Sequence, residues 1–155
     1  MSGFILWSGA SLIDGAPLVV IAIRNSTNRK TGDVVQSYIL RADINPVEAI
    51  KRGLDASICG ECVHRGDGSG RGRTCYVNVG QGALSVWRAY RRGRYFNACD
   101  LSDVGAGRVV RLGTYGDPAA VPSWIWHALT MYATAHTGYT HRWRAGRQLR
   151  GLCMA

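Results

Sequence analysis

The sequence predicts an α/β or α+β fold with an N-terminal hairpin, at least one parallel βαβ unit and a cysteine-rich metal loop in the middle of the chain. Three observations predict it: two apolar, β-branched runs with a turn between them, a strand–helix–strand order in the second half, and three closely spaced cysteines between these parts. The chain has 155 residues, so we expect residues 1–155 to form a single domain. Its apolar ending "RGLCMA" indicates a truncated C-terminus.

Two strands and a turn are predicted in the first half. The runs "APLVVIAIRN" (16–25) and "VVQSYILRA" (34–42) are short, apolar and rich in β-branched residues. The polar segment "STNRKTGD" (26–33) between them is typical of a turn. We therefore expect a hairpin of two buried strands.

Helices are predicted on both sides of the cysteines. Over 43–57, Asn45 can cap the first turn and Pro46 can occupy the first helical position. Over 82–95, leucine and aromatic residues lie on one side of a helix and arginines on the other.

The second half predicts the βαβ unit. A strand over 107–117 precedes a helix over 121–136, which precedes a strand over 137–143. Such a crossover between parallel strands is right-handed in most proteins. The helix has two apolar rows at i, i+4 spacing: Trp124, Ala128 and Tyr132 in one, and Ile125 and Leu129 in the other.

Composition excludes several classes of protein. Hydrophobic residues make up 46% of the chain, which excludes the disordered class. No apolar run approaches the roughly 18 residues of a membrane span, and the start "MSGFILWSGASLIDGAP" lacks the basic region of a signal peptide. We expect a cytoplasmic protein without membrane contact.

The chain is strongly basic. Its net charge is +9, and only two of its 19 basic residues are lysines. Arginine binds phosphate with a planar fork and stacks on rings, so the composition indicates a polyanion-binding surface. GC-rich coding also enriches arginine, and this alternative stays open for the ratio of arginine to lysine.

Three cysteines have the spacing of a metal site. Cys59 and Cys62 form a C-x2-C pair, and Cys75 follows after a loop of a length typical of zinc sites. His64 is a candidate fourth ligand. A [4Fe–4S] cluster held by the three thiolates is an alternative to zinc, and incidental thiols are another. Other candidates for the fourth position are Cys99, His141 and Cys153.

The insert between these cysteines, "RGDGSGRGR" (65–73), has four glycines and three arginines. It lacks the Gly-Lys-Ser/Thr end of a phosphate-binding P-loop. The composition favours a disordered, solvated loop over an anion-binding nest of backbone amides.

Arginines interleave with aromatic residues from Gly68 to Ala98, a segment that contains no acidic residue. This pattern is typical of surfaces that bind single-stranded nucleic acid, because bases stack on rings while phosphates meet guanidinium groups. A solvated helix face above core aromatics is the alternative. The candidate polyanion-binding residues are Arg71, Arg73, Arg88, Arg91, Arg92, Arg94, Arg142 and Arg144.

Catalytic signals are weak. Asp117 follows a predicted strand, a position typical of functional groups, but an aspartate before proline more often belongs to a turn. The chain shows no Ser/His/Asp set, no paired carboxylates and no HExxH motif, which favours a non-enzymatic role.

The stretches "CGECVHR", "TCYVNVGQGALSVWRAYRRGRY", "VVRLGTYGDPAAVP" and "GYTHRWR" together resemble an uncharacterised family of small proteins of tailed bacteriophages and prophages. The resemblance implies a phage accessory protein that binds nucleic acid or a host complex that handles it. It also implies that the sequence would continue past "LCMA" to a further cysteine-rich segment. An inhibitor of host defence that acts by protein contact is an alternative.

A weaker similarity is to iron–sulfur radical enzymes, in which a cysteine loop precedes a strand, a helix and a strand. The cysteine spacing here departs from theirs, and the chain is too short for a full β/α barrel. This similarity implies an iron–sulfur enzyme, or the remnant of one.

Overall fold

The computed structural model describes residues 2–25, 32–144 and 147–154. In these residues a mixed sheet has six strands in the order β4-β1-β2-β3-β5-β6. The strands are β1 (Gly3–Ala10), β2 (Pro17–Ile23), β3 (Val35–Arg41), β4 (Phe96–Asn97), β5 (Val109–Tyr115) and β6 (Ala135–Gly138). The α-helices are α1 (Pro46–Lys51), α2 (Ala56–Cys59), α3 (Leu84–Arg91), α4 (Leu101–Gly105) and α5 (Trp124–Thr130). The α/β class is thereby confirmed.

The predicted hairpin is formed by β2 and β3. These strands pair in antiparallel register with Val20 opposite Ile39, and β2 is buried on both faces from Leu18 to Ile23. Because both faces of this strand are buried, polar residues do not alternate with apolar ones along it. The predicted turn over 26–33 lies largely outside the described residues.

Strand β1 was not predicted from the sequence. It pairs antiparallel with β2 and parallel with the short β4. Only Gly3 and Leu6 of this strand are fully buried, so its sequence has neither a long apolar run nor a clean alternation. Pairing with a buried neighbour, rather than local propensity, defines this strand.

Helix α1 begins as predicted and ends early. The Asn45 side chain accepts hydrogen bonds from the amides of Val47 and Glu48, and Pro46 begins the helix. Gly53 then adopts a φ of +67°, a left-handed conformation that terminates the helix. The predicted helix over 43–57 is therefore two helices, of which the second, α2, begins at Ala56.

The βαβ prediction is confirmed by β5, α5 and β6. Strands β5 and β6 are parallel neighbours, and α5 connects them. Ile125 and Leu129 are buried, as one predicted row required, and Trp126, which neither row included, is buried as well. The other row was wrong, because Trp124 is 53% exposed and Tyr132 is 62% exposed.

A wide bulge interrupts β5 beside β3. Gln36 pairs with Arg111 and Tyr38 with Tyr115, so the single residue Ser37 faces three residues of β5. The Ser37 hydroxyl fills the gap: it donates to the Arg111 carbonyl at 3.0 Å and accepts from the Gly113 amide at 2.9 Å. Pairing resumes at Tyr115, and residues of the bulged stretch, Gly113 and Thr114, line the cavity described below.

Helix α3 follows a π-helical turn over Val79–Ala83 and confirms the core of the helix predicted over 82–95. Its Trp87 indole donates to the Arg41 carbonyl at 3.0 Å, which fixes the helix against the end of β3. Among the described residues, no helix has the length and apolar character that crossing a membrane requires.

Candidate functional site

A cavity of about 590 Å³ lies at the carboxyl ends of the parallel strands β5 and β6. Open α/β sheets commonly place ligand sites at this edge. We call the cavity the thiol pocket, because all three cysteines of the predicted metal loop line it. The side chains in its wall that could bind a metal or titrate include Cys59, Cys62, Cys75, His64, His141 and Asp117.

The cysteine loop is closed by backbone hydrogen bonds. The His64 carbonyl accepts from the amides of Thr74 and Cys75, at 3.2 Å and 3.1 Å. The amide of Cys62 bonds the carbonyl of Cys59, the last residue of α2, at 3.3 Å. These bonds place both ends of the loop against the helix and explain how cysteines distant in sequence line one cavity.

A buried carboxylate anchors the same loop. Asp55 is 1% exposed and lies one helical turn before Cys59. Its Oδ1 accepts from Nη2 of Arg65 at 2.7 Å, while Nη1 of Arg73 lies 3.8 Å from Oδ2. Arg65 also donates to the carbonyls of Gly53 and Gly60. The guanidinium groups at the two ends of the glycine-rich insert thus lie at one carboxylate, whose negative charge offsets their positive charge.

The insert over 65–73 has a defined turn structure. The Asp67 Oδ1 accepts from the Ser69 amide, the Ser69 hydroxyl and the Arg71 amide. A side chain at Gly53 would meet the Gly68 carbonyl oxygen at 2.6 Å, so the insert packs closely on the end of α1. The prediction of a loop without order was wrong because it overlooked Asp67 as a local hydrogen-bond acceptor. The predicted solvent exposure of most of the insert is confirmed.

The thiols are electrostatically coupled. Burial raises the pKa of Cys59 far above its ordinary value, and the neighbouring Asp55, Cys62 and Cys75 raise it further. Burial also raises the pKa of Cys62, and Cys75 and Asp117 add to the effect. A cation among these groups would offset the repulsion between them and favour deprotonation.

Two imidazoles face each other at the pocket wall. The ring centroids of His64 and His141 are 5.4 Å apart with their planes at 67°. The His64 Nδ1 lies 2.9 Å from the Thr74 hydroxyl, which leaves Nε2 as its other ring donor. Both histidine candidates for the fourth ligand therefore line the pocket with the thiols, although they are far apart in sequence.

The other two cysteines lie apart from the pocket lining. Cys99 is exposed near β4. Cys153 packs against Gly138, and burial raises its pKa to about 12, with a further contribution from Asp117. Neither residue lines the thiol pocket.

The donor set fits a borderline or soft metal. Thiolate and imidazole are the ligands that zinc prefers, and thiolates also hold iron–sulfur clusters. In residues 2–25, 32–144 and 147–154, no three or more His, Cys, Asp or Glu side chains form a ready-made metal-binding group.

Asp117 connects three elements at the pocket. It is 5% exposed, and its carboxylate accepts from the Ala119 amide, the Thr140 hydroxyl and the His141 amide at 2.7–2.9 Å. Its own amide donates to the Ile58 carbonyl at 2.6 Å. The favoured turn interpretation is confirmed, and the same carboxylate positions His141.

Two tyrosines also belong to the pocket, and one of them, Tyr115, had no sequence signal. Tyr115 is 2% exposed, and its buried hydroxyl has no hydrogen-bond partner within the described part of the chain. Burial raises its pKa strongly, and the neighbouring Cys59 and Asp55 raise it further. At the rim, Arg111 Nη2 donates to the Tyr76 hydroxyl at 2.7 Å. An unpartnered buried hydroxyl at the wall of a cavity is a feature that a bound ligand could satisfy.

The structure divides the predicted polyanion-binding arginines. Arg73 is 15% exposed and lies 3.8 Å from the Asp55 carboxylate, while its assignment to a polyanion surface stays a prediction. Arg142 packs against Gly60, while Arg71 is exposed in the insert. Arg91 and Arg144 lie over the rings of Trp87 and Trp143, respectively. A separate groove is lined by Arg88, Arg92 and Arg94.

Comparison of the chain with protein-family models, curated proteins and solved structures found no match. The resemblances to a phage family and to iron–sulfur radical enzymes therefore stay predictions.

Proposed function

We propose that this protein is a metal-binding phage accessory protein that acts on nucleic acid or on a host complex that handles it. The observation that carries the proposal is the convergence of Cys59, Cys62 and Cys75 with two histidines on one pocket. Zinc is the metal we expect, and His64 or His141 would complete its four ligands. The metal would fix the loop and hold the chain's basic surface in place.

The arrangement of charges supports this proposal. Burial, Asp55 and the other thiols raise the pKa of Cys59, so this thiol holds a proton that a metal would displace. The acid-free segment from Gly68 to Ala98 and the net charge of +9 favour an acidic partner. A cytoplasmic location in the bacterial host and a non-enzymatic role follow from the resemblance and the lack of a catalytic set.

An iron–sulfur centre is the second candidate. Three thiolates would hold three irons of a [4Fe–4S] cluster, and the remaining iron would face a cavity large enough for a small molecule. The volume of the thiol pocket favours this candidate, because a purely structural zinc needs no adjoining cavity. An inhibitor of host defence that acts through protein contact is a third candidate, supported by the exposed basic and aromatic side chains.

Metal analysis tests these candidates. The protein is purified both in air and anaerobically, and zinc, iron and acid-labile sulfide are measured per chain. We expect about one zinc, a colourless protein, and loss of most of that zinc in Cys75→Ser. The matched control is Cys99→Ser, which removes an exposed thiol outside the pocket and should keep the metal.

Iron and sulfide in the anaerobic protein would establish the second candidate instead. Equal metal content in Cys75→Ser and the wild type would contradict both metal proposals, as would a wild type without metal under either condition. Circular dichroism of each variant shows whether the chain remains folded.

A further inference from the structure

A second concave site, formed by different residues from the thiol pocket, lies along α3. It is a groove of about 330 Å³ between the π-helical turn that precedes α3 and the chain that follows it. We call it the arginine groove, and its lining residues are Gly80, Gln81, Ser85, Arg88, Ala89, Arg92 and Arg94.

The groove concentrates positive charge without compensation. Arg88, Arg92 and Arg94 form no ion pair in the described part of the chain, and no acidic residue lines the groove. Arg88 and Arg92 are four residues apart on one helical face, where like charges repel. An anion between them would convert this repulsion into attraction.

The remaining lining supplies neutral hydrogen-bond donors. Ser85 and Gln81 line the groove together with the three arginines and carry a hydroxyl and a side-chain amide, while Gly80 contributes no side chain. Guanidinium forks match the geometry of phosphate oxygens and can bind them in two places. The chemistry of the groove therefore fits a phosphate group better than a neutral ligand.

An exposed ring lies next to the groove in sequence. Phe96 is 78% exposed, and the buried Tyr95 separates it from Arg94, which is also exposed. Proteins that bind single strands combine cationic grooves for phosphates with rings on which bases stack. This ring favours a nucleic-acid strand over free phosphate as the ligand.

We propose that the arginine groove binds backbone phosphates of single-stranded nucleic acid and that Phe96 stacks on a base of the same strand. The proposal rests on the nucleic-acid part of the proposed function and is independent of its metal part. It assigns the contact to this groove rather than to the basic surface as a whole.

Fluorescence anisotropy with labelled oligonucleotides of about 12 nucleotides tests the assignment over a range of salt concentrations. The groove variant is Arg88→Gln/Arg92→Gln, and the matched control is Arg52→Gln/Arg150→Gln, which removes the same charge from exposed positions outside the groove. We expect the groove variant to weaken binding by about tenfold or more and to reduce the slope of log K against log salt by about 1.4, the value for two phosphate contacts. The control should change affinity by about twofold or less.

Phe96→Ala separates stacking from charge. Loss of one stacked base should weaken binding by about fivefold or more and leave the salt slope unchanged. Inorganic phosphate and pyrophosphate serve as competitors and distinguish the two sources of phosphate. The comparison is with sodium chloride at the same ionic strength. If either competitor displaces the oligonucleotide where sodium chloride does not, the groove prefers free phosphate and the assignment to a strand is overturned.

Equal weakening by both double variants would show a diffuse basic surface and overturn the proposal, as would no binding by the wild type at low salt. Thermal unfolding and metal content are measured on the same preparations. A wild type without metal that still binds through the groove would separate failure of the metal proposal from failure of this one.

Discussion

The thiol pocket and the arginine groove use the same residue type in opposite ways. At the thiol pocket, Arg65 and Arg73 are largely buried, and both meet the carboxylate of Asp55. In the arginine groove, Arg88 and Arg92 are exposed and form no ion pair in residues 2–25, 32–144 and 147–154. Arg73, Arg88 and Arg92 all belong to the segment from Gly68 to Ala98, which the sequence alone presents as one basic surface.

The difference shows that pairing, rather than arginine content, separates structural from binding arginines. A buried guanidinium with a carboxylate partner stabilises the fold around it and has little charge left for a ligand. An exposed, unpaired guanidinium contributes little to stability and remains available to an anion. Removal of the carboxylate partner should therefore destabilise the region around Arg65 and Arg73. Substitution of the unpaired groove arginines should leave the stability of the fold almost unchanged.

Removal of the buried Asp55 carboxylate should reduce the stability of the fold more than any other change predicted here. Asp55→Ala leaves Arg65 largely buried without its counter-charge, so we expect the free energy of unfolding to fall by about 4 kcal/mol. Chemical denaturation measures the change. Asp103→Ala, at an exposed position, is the control and should cost less than about 0.5 kcal/mol. A loss below about 1 kcal/mol for Asp55→Ala would contradict a structural role for this arginine cluster.

Removal of the Asp117 carboxylate, which follows β5 in the chain, should reduce stability by an intermediate amount. Asp117→Ala deletes three accepted hydrogen bonds at a buried position, and we expect a loss of about 3 kcal/mol. Because the same carboxylate positions His141, zinc affinity should also fall. Thr140→Val, which removes only one donor, should lose about 1 kcal/mol. Equal losses in both variants would show that the other two bonds contribute nothing.

The ion pair of Asp43, which is half exposed, with Arg41 at the end of β3 should have the smallest effect on stability. Hydrogen bonds from Arg41 hold the pKa of Asp43 below its ordinary value. Its contribution to stability is therefore present above about pH 4 and is lost as the pH falls through the lower folded-state pKa. Asp43 is 46% exposed, so we expect Asp43→Asn to cost less than about 1 kcal/mol at neutral pH and progressively less as the pH falls below about 4. Denaturation curves across this pH range check the sign, and a larger cost at low pH would contradict it.

Local patterns predicted the parts of the fold that local interactions determine. The buried run of β2 and the Asn45 cap of α1 are examples. Strand β1 escaped prediction although it pairs with its neighbour in the chain, β2, because its half-buried residues follow neither a long apolar run nor a clean alternation. The exposed Trp124 misled the pattern of α5, since aromatic spacing alone does not show which side of a helix faces the sheet.

The sequence predicted the cysteines of the candidate site but not the residues that surround them in the fold. Cysteine spacing identified Cys59, Cys62 and Cys75, and the structure places all three at one pocket. Asp55 and Tyr115 had no motif, because their roles depend on contacts between the loop and the sheet. A single acidic residue just before the first cysteine, in "GLDASIC", was the one available signal for Asp55.

The fixed ends of the cysteine loop also indicate where the sequence of this protein can accept insertions or deletions. The His64 carbonyl and the Asp55 carboxylate fix the chain on both sides of the insert, so the insert is an excursion that leaves and returns at nearly the same place. The entropy of closing such a loop depends only weakly on its length. Residues 68–72 are thus a position where the chain can gain or lose residues while the three thiols keep their places, and a natural point for grafting a peptide or a probe.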